Sequence, residues 1–118
     1  MSDTDAASLQ RLRSSLDEHR DSLRREIAEQ GFDPDSVDFG VALERGFADG
    51  GQVTAERGRL LTLAGELRNS LRDVEHALAK FDQGTYGNCE RCGGAISMER
   101  LEAIPWARLC ITCKQRRA

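Results

Sequence analysis

Aromatic side chains are scarce in this 118-residue chain: Phe32, Phe39, Phe47, Phe81, Tyr86 and Trp106 make up 5% of it. So few rings cannot fill a large core or form a row of platforms on which unpaired bases stack. Long apolar runs are missing as well. Nothing approaches the roughly 20 apolar residues that cross a bilayer, and Met1 to Leu12 is polar and acidic, unlike a secretion signal, so a cytoplasmic protein without membrane association is expected. Basic charge is not in excess either, with 17 Lys and Arg against 20 Asp and Glu, a net of −3. That balance argues against direct DNA binding. No Ser-His-Asp set, phosphate-cradling glycine loop or nucleophile motif is present, so no enzymatic activity is expected. Cysteine is absent from the first 88 residues, which makes the four that follow more informative.

Cys89 and Cys92, then Cys110 and Cys113, stand as two C-x2-C pairs separated by 17 residues. A two-residue spacer lets a tight turn aim both thiolates at one ion, and a second pair completes a tetrahedron with Zn–S of about 2.3 Å. One structural Zn2+ is therefore the expected cofactor, with disulfide or redox use the alternatives. A reducing compartment favours the metal. Charge is divided unevenly around this motif: residues 1–83 carry 11 basic against 17 acidic side chains, and residues 84–118 carry 6 against 3. Four thiolates on Zn2+ add about −2 locally, leaving the C-terminal module only weakly positive.

The remainder reads as helix. From Ser8 to Gln30 the apolar residues Leu9, Leu12, Leu16, Leu23 and Ile27 are spaced 3, 4, 7 and 4, a single narrow stripe. Asp3, Thr4 and Asp5 are candidate N-caps, and Gly31 followed by Pro34 is the stop. A second stripe, Leu60, Ala64, Leu67, Leu71, Val74, Leu78 and Phe81, alternates spacings of 4 and 3 and ends at Gly84. That is a heptad seam. Each helix should run for roughly 27 to 30 residues, or about 40 to 45 Å. Neither is stable alone in water with its leucines exposed, so an antiparallel pair with facing seams is expected, and coiled-coil homodimerisation is the rival packing. A monomer is the expected state. His19 stands where a seam residue belongs and reads as a partly buried structural histidine. The fold class is thus mainly α: an antiparallel helical hairpin over residues 1–83, with a small four-cysteine zinc-finger module and a C-terminal helix over residues 84–118.

Residues 31–53, between the two stripes, are long for a turn and carry Asp33, Asp35, Asp38, Glu44 and Asp49 against Arg45. A short helix through Val41, Ala42, Leu43 and Phe47, ended by Gly50 and Gly51, fits this segment. A hairpin would set this acidic cluster at its tip. A solvated polar turn is the plainer reading.

The stretch GTYGNCERCGGAISMERLEAIPWARLCITCK, residues 84–114, resembles the DksA/TraR family of bacterial RNA polymerase regulators. The likeness rests on the four cysteines, Tyr86-Gly87, Gly93, Ile96, Arg100-Leu101-x-Ala103, Pro105 and the closing Cys-x2-Cys-Lys. Leu71 to Gly84, ending in AL-x3-D-x-G, is similar to the family's second coil helix. The resemblance implies a protein that binds RNA polymerase without binding DNA. It implies a zinc module at the rim of the secondary channel and a coiled coil reaching inward, whose acidic tip modulates initiation.

Family members commonly carry Asp-x2-Asp-x-Ala at that tip, and this chain has no such string. Counted back from Cys89 without gaps, those positions fall on Gly46, Asp49 and Gly51. A shifted register gives Asp35, Asp38 and Gly40 at the cost of an 11-residue insertion. Asp49 is preferred, with Asp35 and Asp38 the alternative. Members that respond to the alarmone ppGpp hold it with basic residues on the zinc module and nearby coil. Lys114 matches one such position as a ppGpp or polymerase-rim contact, whereas Ile104 and Asp73 occupy two others, so a weak ppGpp response is expected. Ile96, Leu101, Ile104, Trp106 and Leu109 are expected to cluster over the zinc. The alternatives to polymerase binding are a nucleic-acid-binding zinc ribbon and a redox or iron four-cysteine protein.

Overall fold

The structure is a computed structural model and describes residues 3–35 and 55–116. Asp38, Asp49 and the short helix read into the intervening segment lie outside the described residues. Two long helices dominate: α1, Asp3–Glu29, and α2, Ala55–Gln83. Two short ones follow in the cysteine-bearing part, α3, Met98–Ala103, and α4, Ile111–Gln115. Among the described residues there is no strand, only an isolated bridge between Asn88 and Ala95. The fold class is the expected one, an antiparallel helical hairpin carrying a four-cysteine module.

Both long helices stop at the anticipated glycines, and by the same device. Gly31 and Gly84 take left-handed backbone angles, φ 89° and 74°. At the first stop Gly31 N–H donates to Ala28 O and Phe32 N–H to Ile27 O; at the second Gly84 N–H donates to Phe81 O and Thr85 N–H to Lys80 O. This pair of reversed hydrogen bonds satisfies carbonyls that the helix itself leaves open, and only glycine takes the required φ without steric cost.

The chain divides into two compact units, one of residues 1–20 with 73–118 and one of residues 21–72. In the second, Leu23 and Ile27 from α1 and Leu61, Ala64, Leu67 and Leu71 from α2 are buried. In the first, Leu12 and Leu16 from α1 and Val74 and Ala77 from α2 are buried, and Arg13 meets Asp82 at 3.1 Å, so an early residue of α1 faces a late one of α2. The α1 stripe is the one read from the sequence. In α2 the buried line departs from the expected stripe at both ends: Leu61 is buried and Leu60 is 37% exposed, and further on Ala77 and Lys80 are buried while Leu78 and Phe81 are only half-buried. Counted back from Leu71 at about 3.5 residues per turn, the seam passes between positions 60 and 61, so periodicity alone does not choose between them. His19 is a second correction. It is exposed, and its ring stacks on Trp106 with centroids 5.4 Å apart and planes 10° from parallel.

Candidate metal centre

The first cysteine pair sits in a turn whose backbone is folded around the sulfurs. Cys89 N–H donates to Gly94 O at 2.7 Å and Gly93 N–H to Cys89 O at 2.9 Å, while Gly94 N–H points to Cys92 Sγ at 3.4 Å. Gly93, at φ 74°, makes this reversal, and an amide aimed at a sulfur favours its thiolate form. The second pair uses a helix start. Cys110 caps α4, its sulfur accepting from Cys113 N–H at 3.5 Å, and Cys113 lies within the helix. One backbone bond, Glu90 N–H to Arg108 O at 2.9 Å, links the two halves.

The result is four sulfurs within 4.8 Å of one another. Tetrahedral zinc with bonds of about 2.3 Å needs sulfur–sulfur edges of about 3.8 Å, and Cys92 and Cys110 are 3.9 Å apart. That separation joins the two pairs and is about twice an S–S bond. The donor set therefore fits one tetrahedral soft-ligand ion. Electrostatics point the same way. Backbone N–H groups, that of Cys92 foremost, pull the Cys89 thiol well below its ordinary value, whereas burial pushes the Cys113 thiol up. A divalent cation supplies the charge that a buried Cys113 thiolate otherwise lacks.

The module is not an independent globule. Its buried cluster joins Cys89, Ile96, Leu101 and Cys113 to Leu12 of α1, with Leu9, Phe81, Tyr86 and Leu109 packed against them. Of the residues expected over the metal, Ile96, Leu101 and Leu109 belong to this cluster, while Trp106 turns to His19 and Ile104 lines a groove of about 490 Å³. Tyr86 stacks on Phe81 at 3.9 Å and donates its hydroxyl hydrogen to Pro105 O at 2.9 Å; burial pushes the phenol up to about 12.

The groove beside Ile104 also contains Asp73, Arg100, Arg108 and Lys114, which brings together the three positions compared above for alarmone contact. Its charges are already engaged in part. Arg108 binds Asp73 at 2.8 Å, and Arg100 Nε–H donates to Leu109 O at 2.9 Å. Lys114 is exposed on α4. At the other end of α1, Asp35 is exposed, paired with Arg24 and bonded through its own N–H to the Asp33 side chain. The Arg24 hydrogen bond holds its carboxyl below the usual range.

Sequence reading missed the residues that tie the first pair to α2. Lys80 is buried, with Nζ donating to Asn88 O at 3.1 Å and standing 3.5 Å from Glu90 Oε2. His76 Nε2–H donates to the same oxygen at 2.9 Å. Partial burial raises the Glu90 carboxyl, but the hydrogen bond from His76 and the charge of Lys80 outweigh it and hold the group below its ordinary value. The available signal was position: Lys80 follows Leu71, Val74 and Ala77 at steps of three on the buried face.

A four-cysteine metal-binding module built onto the base of an antiparallel helical pair defines a class of small zinc-finger proteins. Residues 84–117 match the family model of the prokaryotic dksA/traR C4-type zinc finger, so this part of the chain is a finger of that type. It is 44% identical over 71 residues to an uncharacterized protein of Aquifex aeolicus, covering 60% of this chain and 49% of that one. It is 45% identical over 47 residues to the RNA polymerase-binding transcription factor DksA of Escherichia coli, covering 40% and 31%. The structure of transcription factor DksA2 from Pseudomonas aeruginosa superposes with a TM-score of 0.65 at 26% identity, over 93% of this chain and 82% of that one. The matched stretch spans about half or less of the curated relatives' length.

Proposed function

We propose that this protein is a non-enzymatic transcription regulator that binds RNA polymerase through its secondary channel. On this reading the module sits at the channel rim and the segment between α1 and α2 approaches the active site, where it modulates initiation. The observation that carries the proposal is the likeness to DksA2, which extends over 93% of the chain and so includes the helical pair as well as the finger. Cys89, Cys92, Cys110 and Cys113 hold one structural Zn2+, whose part is to fix the module rather than to react. The protein acts as a monomer in the cytoplasm and does not bind DNA directly.

Carboxylates at the tip act by charge, near Mg2+ and the basic side chains of a polymerase active site. Asp49 is the preferred residue. Asp35, the alternative with Asp38, is already engaged by Arg24, which favours Asp49 further. Lys114 contacts ppGpp or the polymerase rim, and the alarmone response is weak, since Asp73 adds negative charge to the same groove and holds Arg108. The test is transcription in vitro from a ribosomal RNA promoter. Wild-type protein should change open-complex output, Asp49→Ala should abolish the effect, and Asp35→Ala/Asp38→Ala should retain it. No effect of the wild type on any initiation step, with the protein folded and metal-loaded, would contradict the reading.

A further inference from the structure

Lys80 is one of two polar or charged residues buried among those described, and its side chain is only 7% exposed. A lysine gives up strong hydration to be there, so its ammonium must be met by fixed acceptors. Those acceptors flank one metal ligand. Nζ donates to Asn88 O, of the residue before Cys89, and stands 3.5 Å from Glu90 Oε2, of the residue after it. The Lys80 backbone carbonyl in turn accepts from Thr85 N–H at 2.9 Å and Tyr86 N–H at 3.2 Å, at the start of the chain's run into the Cys89 turn. His76, one turn earlier on α2, holds the same Glu90 oxygen at 2.9 Å.

From this geometry we infer that Lys80 is a positioning residue for the metal centre, a buried ammonium that clamps the Cys89 turn to α2 and fixes the direction of the Cys89 sulfur before metal arrives. The inference rests on the reading of the four cysteines as a zinc site. One backbone carbonyl, that of Asn88, and one carboxylate, that of Glu90, receive the ammonium, so the clamp joins the helix to the turn at both of Cys89's neighbours. Groups one step removed from a metal ligand that fix its orientation typically alter affinity by about 10- to 100-fold when removed. Lys80→Met keeps the apolar stem and deletes the charge and all three donor hydrogens.

The experiment measures zinc affinity of the full chain by competition with a chromogenic chelator, alongside far-ultraviolet circular dichroism of the metal-free proteins. Wild type should take up one zinc. Lys80→Met should bind it about 10- to 100-fold more weakly while keeping the wild-type helical signal, and Lys80→Arg should recover part of the loss. Affinity within twofold of wild type in a folded Lys80→Met protein overturns the clamp and leaves the zinc reading standing. Should Lys80→Met lose its helices, Glu90→Gln decides the matter: a smaller loss of affinity supports the clamp and an unchanged affinity overturns it. A wild type that binds no zinc contradicts the metal reading, and the clamp falls with it.

Discussion

Tyr86 joins three parts of the first compact unit: its ring lies on Phe81 of α2, its hydroxyl reaches Pro105 O, and its backbone N–H returns to Lys80 O. Tyr86→Phe should therefore lower stability by about 1 to 2 kcal/mol, the net worth of a hydrogen bond plus a carbonyl left without it. The pH dependence has a definite sign. Burial raises the phenol to about 12, so the folded protein keeps its proton where the unfolded chain, near 10, releases it. Stability from this group is complete below about pH 10 and is lost as pH rises toward 12. Melting curves of wild type and Tyr86→Phe between pH 8 and 11.5 check this, since the variant should lack that part of the alkaline decline. At this scale the cysteines were legible in the sequence because a thiol at C-x2-C spacing has few other uses. Lys80 was not. A lysine is solvent-facing by default, and only the fold shows that the acceptors at Asn88 and Glu90 converge on it.

The two long helices owe their limits to local chemistry and their register to packing, and the two kinds of information differ in how they can be read. Gly31 and Gly84 mark the stops from sequence because the left-handed residue after a helix is nearly always glycine. The choice of Leu61 over Leu60 depends on the partner face and is not contained in the α2 stripe alone. His19 interrupts the α1 stripe for a tertiary reason, the Trp106 ring, which lies 87 positions away in the chain. A third glycine gives a direct test of helix energetics. Gly65 lies inside α2, and a Cβ built there meets nothing within 4 Å. Gly65→Ala should raise stability by about 0.5 to 1 kcal/mol, seen as a higher melting temperature, because alanine loses less backbone freedom in a helix.

The short helices make a contrasting prediction. With 27 and 29 residues, α1 and α2 contribute most of the helical circular dichroism, against 6 and 5 in α3 and α4. Chelating the metal should thus leave most of the helical signal while changing the fluorescence of Trp106, whose segment is anchored through the Arg108 carbonyl to Glu90 beside Cys89. Unchanged fluorescence after confirmed metal loss would count against that anchoring.

For the whole molecule, the division of charge fits the proposed task better than the net value does. Residues 1–83 are acidic by six charges and residues 84–118 are basic by three, which on the proposed function suits the helical portion to basic surroundings and leaves the module only a small positive excess. The match to the family model was legible in residues 84–117, where four ligands for one ion constrain both cysteine spacing and the glycines around it. The proposed tip is less so, since on that proposal its carboxylate acts by charge and tolerates changes of position that a metal ligand does not. The central claim is polymerase binding, and the most direct measurement is association of the zinc-loaded protein with purified core RNA polymerase in the absence of DNA. Stoichiometric binding by wild type, lost in Cys92→Ser and unaffected by added duplex DNA, is the predicted result. No association by a folded, zinc-loaded wild-type protein, or association only when DNA is present, would contradict it.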